Sequence, residues 1–144
     1  MDILKKLKRD EQFIAGIDHV ALVVKDMDRS IKFYSEILNL VVLYDGRDDG
    51  GDKKSFLGKK EKSFVALTEN SQKNIDETVV ESVSHIAFKV ENVEEAREIL
   101  EKRGVEFVEI KVSEDGKSRA YHFLDPDGFE LEIYGGTGEI IPAY

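Results

Sequence analysis

The chain contains one stretch twice, and that repeat limits what it can fold into. Asp18-His19-Val20-Ala21-Leu22-Val23-Val24-Lys25-Asp26-Met27-Asp28 matches Ser84-His85-Ile86-Ala87-Phe88-Lys89-Val90-Glu91-Asn92-Val93-Glu94 at a constant offset of 66 (85 − 19). Each copy alternates apolar and mixed residues with a period of two, as a half-buried strand does. A helical pattern follows each. In the first copy Asp26 or Asp28 supplies the N-cap, and Ile31, Phe33, Tyr34, Ile37 and Leu38 recur at helical spacing. In the second, Asn92 and Glu95 form a capping-box pattern, Val93, Ala96, Ile99 and Leu100 make the apolar face, and Gly104 ends it.

Three further strands are expected after each helix, at 40–44, near 55–57 and at 63–68, then at 105–110, 118–124 and 129–134. Asp125-Pro126-Asp127-Gly128 predicts a tight turn, because Pro presets φ and Gly accepts a positive φ. The Asp- and Gly-rich segment 45–54 reads as a loop, and 70–82 as a linker. Ile3, Leu4 and Leu7 fit a short amphipathic helix within 1–15. The predicted fold is α+β. A single domain spans 1–144, with βαβββ module one at 17–70, module two at 83–135 and an N-terminal extension at 1–16.

Composition narrows the function. A length of 144 residues suits one core. The net charge of −9 argues against nucleic acid and anionic membrane as partners. With no cysteine there are no disulfides, thiolate metal sites or thiol nucleophiles. No apolar run reaches the roughly 20 residues needed to span a bilayer, and no signal peptide pattern follows the N-terminal lysines. A cytoplasmic location is the expectation.

Two βαβββ modules in tandem resemble the vicinal oxygen chelate superfamily, which includes glyoxalase I, fosfomycin-resistance enzymes, extradiol dioxygenases and bleomycin-binding proteins. The resemblance runs over about 17–135. It is carried by Asp18 to Asp26, Phe33-Tyr34, Ser84 to Val90 and Phe123-Leu124-Asp125-Pro126-Asp127-Gly128-Phe129-Glu130-Leu131-Glu132. It implies half-barrel modules around a metal, with ligands from the first and last strand of each. The first-strand positions are His19 and His85, and the last-strand positions are Ala66 and Glu132 (132 − 66). A lone strand histidine is usually structural. Here two of three histidines stand at equivalent repeat positions, with a carboxylate at a third. Two imidazoles and one carboxylate suit one divalent transition metal (Fe, Mn, Ni, Co or Zn) and leave open positions for substrate oxygens.

The alanine at position 66 departs from the four-ligand pattern of glyoxalase I and is closer to the three-ligand fosfomycin and extradiol enzymes. Ala21 and the tail from Gly135 to Tyr144 lack the threonine and basic residues that resemblance to the fosfomycin enzymes would require. Ten residues before the last ligand, where both groups resemble each other in placing a tyrosine, this chain has His122. Alternation puts Ala120, His122 and Leu124 on one strand face. On the metal side, His122 would act as a general acid or base; otherwise it is a core histidine. Glu130 and Tyr134 share a face with Glu132. The expected function is metal-dependent chemistry on a small oxygenated substrate held through two oxygens, of lyase, isomerase or ring-cleaving type. The alternative is a protein that sequesters an antibiotic without catalysis. Family resemblance also implies a homodimer whose sites are formed by paired modules.

Overall fold

The computed structural model describes residues 17–48, 53–72 and 84–136. The helix expected within 1–15, the middle of the 45–54 loop and most of the 70–82 linker lie outside them.

The chain runs β1 (Val20–Val24), α1 (Met27–Lys32), a wide π-helical turn (Phe33–Ile37), β2 (Val41–Tyr44), β3 (Lys54–Lys59) and β4 (Lys62–Glu69). It then repeats the pattern with β5 (Ile86–Lys89), α2 (Val93–Lys102), β6 (Phe107–Val112), β7 (Ser118–Leu124) and β8 (Glu130–Gly136). Two four-stranded sheets result, ordered β1-β4-β3-β2 and β5-β8-β7-β6. In each the first and last strands pair in parallel and the rest antiparallel. The register keeps the repeat offset: Ala21 faces Ala66 across β1 and β4, and Ala87 faces Glu132 across β5 and β8. Among the described residues, no helix is long and apolar enough to cross a membrane.

Both helices start as the sequence predicts. Asp26 caps α1 by accepting from the Arg29 N–H, and Asn92 caps α2 by accepting from the Glu95 N–H. Gly104, at φ 89°, closes α2, with its N–H donating to the Glu101 carbonyl. The first helix ends differently from its pattern. Its last turn widens, Leu38 N–H reaching back to the Phe33 carbonyl, and this buries Phe33 and Tyr34 side by side. Strand β6 begins two residues later than expected, because the Val105 N–H is taken by the Leu100 carbonyl at the helix end.

One face of each sheet builds the core. Leu22, Val24, Leu57, Val65 and Leu67 of the first sheet, and Phe123, Leu131 and Ile133 of the second, pack with Met27, Ile31 and Tyr34 of the first helical segment and Val93 and Leu100 of α2. The β7–β8 turn locks the halves together. Gly128 sits at φ 85°, as a tight turn needs. The buried Asp125 accepts from the Tyr34 hydroxyl at 2.9 Å, and Asp127 accepts from the Lys25 N–H at 2.8 Å and from Arg29 at 2.7 Å. Burial pushes the Tyr34 hydroxyl and the Asp125 carboxyl above their ordinary pKa values. The strands leave the opposite faces open. Val23 and Tyr44 of the first sheet are 49% and 46% exposed there.

Candidate metal centre

Strand alternation sends the ligand candidates to the face away from the core. On the second sheet His122 pairs across strands with Glu132, so the two side chains are nearest neighbours, and His85 leads into the strand on the other side of β8. The Nε2 atoms of both histidines converge on one carboxylate oxygen. His85 Nε2 is 2.8 Å and His122 Nε2 is 3.5 Å from Glu132 Oε2. The imidazole rings meet edge to face, with centroids 5.2 Å apart.

Glu130 lies on the other side of the ring pair, next to the Nδ1 atoms, at 3.6 Å from His122 and 4.0 Å from His85. One ligand atom each from His85, His122 and Glu130 falls within 4.8 Å of the others. The approaches to Glu132 are shorter, and Glu132 is buried where Glu130 is half-buried. On these grounds Glu132 is the stronger ligand candidate of the two.

His19 stands apart in one chain: it is not in this converging group, although it borders the same open cleft, of about 1570 Å³, as His85. Its Nδ1 lies 2.7 Å from Asp18 Oδ2, and its ring meets Phe56 edge to face at 5.7 Å. His85 is held in the same manner, with Nδ1 2.6 Å from the Ser84 hydroxyl. When Asp18 and Ser84 accept from Nδ1–H, both rings present an Nε2 lone pair, the arrangement found for metal-bound histidine. Ala66 is buried and supplies no donor.

The residues fit a divalent cation. His122 is 2% exposed, and neither ring nitrogen has a hydrogen-bond partner. A buried polar atom left so costs about 1–3 kcal/mol. A cation bonded to neutral imidazole and a buried carboxylate removes that cost and suits the donor set. The sequence put Glu130 on the strand face of Glu132 and left the face of His122 open, and it gave no partner to either His19 or His85. The preceding residues, Asp18 and Ser84, were the signal for those.

The chain is similar to proteins of a known family. The family model described as Glyoxalase/Bleomycin resistance protein/Dioxygenase superfamily matches residues 16–133. The chain is 30% identical over 128 residues to "Fosfomycin resistance protein FosX" of Listeria monocytogenes, covering 88% of this chain and 93% of that one. It is 28% identical to "Metallothiol transferase FosB" of Staphylococcus epidermidis, over 86% and 84% of the two chains. Among solved structures, a glyoxalase family protein from Enterococcus faecalis superposes with a TM-score of 0.70 at 28% identity, over 85% of this chain and 98% of that one. The chain is therefore a member of the Glyoxalase/Bleomycin resistance protein/Dioxygenase superfamily.

Proposed function

We propose that this protein is an enzyme that uses one divalent transition-metal ion, held by His19, His85 and Glu132, to act on a small oxygenated substrate. The observation that carries the reading is the approach of His85 and His122 to one buried carboxylate, Glu132, on the open face of the second sheet. A relative named as a metallothiol transferase supports metal dependence. When bound, the metal supplies Lewis acidity to two neighbouring substrate oxygens. The chain's own residues do the rest. Ser84 and Asp18 fix the two first-strand rings, and Val23, Tyr44 and Phe56 offer an apolar wall that excludes water.

The site is completed in a symmetric homodimer, His19 of one chain joining His85 and Glu132 of the other. The separation of His19 from the converging group within one chain supports this arrangement. So does the exposure of Val23 and Tyr44 on the open face, which a second module would cover.

Titration with Mn, Fe, Co, Ni and Zn ions followed by elemental analysis tests the reading. His85→Ala and Glu132→Ala should each weaken binding by more than the 10–100-fold typical of a supporting residue. Stoichiometric metal in His19→Ala, His85→Ala and Glu132→Ala alike would overturn the ligand set. Turnover is sought among hemithioacetals, catechols, 2-keto acids and epoxides including fosfomycin, and a chelator should abolish it. Refolding His19→Ala with Glu132→Ala subunits should regain one intact site per mixed dimer, whereas modules that close within one chain regain none.

A further inference from the structure

We propose that His122 is itself a metal ligand, filling from the second module the coordination position that Ala66 leaves empty in the first. The inference rests on the metal-dependent reading above and assigns His122 a place in it different from the proton-transfer role suggested by the sequence.

Three observations carry it. The first is position: His122 Nε2 points at the same Glu132 oxygen that His85 Nε2 approaches, at 3.5 Å and 2.8 Å respectively. A cation bonded to Glu132 and His85 there would lie within reach of the third donor, and the two imidazole rings stand edge to face with centroids 5.2 Å apart. The second is burial. His122 is 2% exposed with both nitrogens unpartnered. A group that exchanges protons with a substrate needs a route to substrate or water, whereas a ligand needs only the metal. The third is the setting of the Nδ1 atoms. Asp18 Oδ2 at 2.7 Å from His19 and the Ser84 hydroxyl at 2.6 Å from His85 are groups of the kind that fix the tautomer of metal-bound imidazole and leave Nε2 as the donor. Glu130 Oε1 stands on the Nδ1 side of His122 at 3.6 Å, outside hydrogen-bond distance, so both His122 nitrogens stay without a partner.

The substitution pattern fits as well. In the first sheet Phe56 occupies the place of His122 (122 − 66) and pairs with Ala66 as His122 pairs with Glu132. The first module has no donor at either place and the second has one at both.

Cobalt(II) alone is the probe. In the proton NMR spectrum of the Co-loaded protein, each ligated imidazole contributes one strongly shifted exchangeable Nδ1–H resonance. The intact protein should show three, and His122→Gln should lose one of them while weakening Co(II) binding by about tenfold or more. Adding Ala66→Glu to His122→Gln should recover affinity, because a donor returns from the opposite side. Two shifted resonances in the intact protein, both abolished only by His19→Ala and His85→Ala, would overturn the proposal without requiring any variant at position 122. Unchanged affinity and spectrum in a folded His122→Gln protein would overturn it too. Loss of metal in His85→Ala and Glu132→Ala under either outcome leaves the metal-dependent reading standing, so the two ideas fail separately.

Discussion

On the open face of the first sheet, His19, Phe56 and Ala66 stand together; at the same places on the second sheet stand His85, His122 and Glu132. The backbone registers are equivalent, and even the ring geometry is alike, with His19 on Phe56 at 5.7 Å and His85 on His122 at 5.2 Å. Only side-chain chemistry separates the two faces. The second module has gathered the oxygen and nitrogen donors, while the first contributes one imidazole and an aromatic and aliphatic surface formed by Phe56, Tyr44 and Val23. A duplicated scaffold thus carries different side chains on its two open faces, imidazole and carboxylate groups on one and mainly apolar ones on the other. The hairpin turns differ in parallel. Asp125-Pro126-Asp127-Gly128 is sunk against the first helix, whereas the equivalent Lys59-Lys60-Glu61-Lys62 is largely exposed.

The largest stability difference between the modules is expected at those turns. Asp125 accepts from the Tyr34 hydroxyl and from the backbone N–H groups of Asp127 and Phe129, in a setting that burial keeps dry. Asp125→Ala strands these donors. At about 1–3 kcal/mol for each buried unsatisfied group, partly offset by removing a carboxyl that burial disfavours, a loss of about 3 kcal/mol is expected. Lys59→Ala, at the equivalent exposed place, should stay within about 0.5 kcal/mol. Urea unfolding of both variants measures the difference, and equal losses would mean that the buried turn does not join the two halves.

That turn also shows how far the sequence could be read. Its conformation was legible, because Pro and Gly act locally. Its partners were not, since Tyr34 and Lys25 lie 91 and 102 residues away and nothing in the motif names them. The two modules followed from the 66-residue offset, which holds in the observed register, whereas the pairing of the strands within each is seen only in the structure. The late start of β6 and the widened turn at Phe33 were hidden, because both depend on which carbonyl captures a helix-terminal N–H. At the site, alternation put Glu130 with Glu132 on one face of their strand and His122 on one face of its own, and left open whether the two faces coincide. It could not reveal that both His122 nitrogens lack a partner, because that is a property of everything packed around the ring.

Where the modules are most alike, substitutions should have equal effects. Asp26 and Asn92 adopt nearly the same backbone, φ −137°, ψ 110° and φ −127°, ψ 106°. Their side chains accept from the Arg29 and Glu95 N–H groups at 3.0 Å and 3.1 Å. Replacing either with Ala should cost about 1 kcal/mol, the usual value for a lost N-cap. Thermal unfolding of the two variants side by side is the measurement. If one cost several times the other, the two helices would not be energetically equivalent despite their common geometry.

The smallest expected effect depends on pH. Glu94, in the first turn of α2, accepts from the Tyr121 hydroxyl and from Arg97 and Arg119; its counterpart Asp28 (94 − 66) has an exposed contact with Arg47 at 3.1 Å. The Tyr121 hydrogen bond first, and then those of the two arginines, hold the Glu94 carboxyl below its ordinary value of 4.5. The folded state therefore binds this proton less tightly than the unfolded state does. Stability from Glu94 is present above about pH 4.5 and is lost as pH falls through the lower folded value. Because the side chain is about one-third exposed (32%), solvent screens the interaction and the contribution should stay under about 1 kcal/mol. Glu94→Gln keeps the acceptor and removes the charge. Its unfolding midpoint should lie below that of the unsubstituted protein near neutrality, and the gap should close as pH drops from about 4.5 towards 3. A gap that stays constant across that range would assign the effect to shape and neutral hydrogen bonding, and would leave the charge of Glu94 without a part in holding α2 to its sheet.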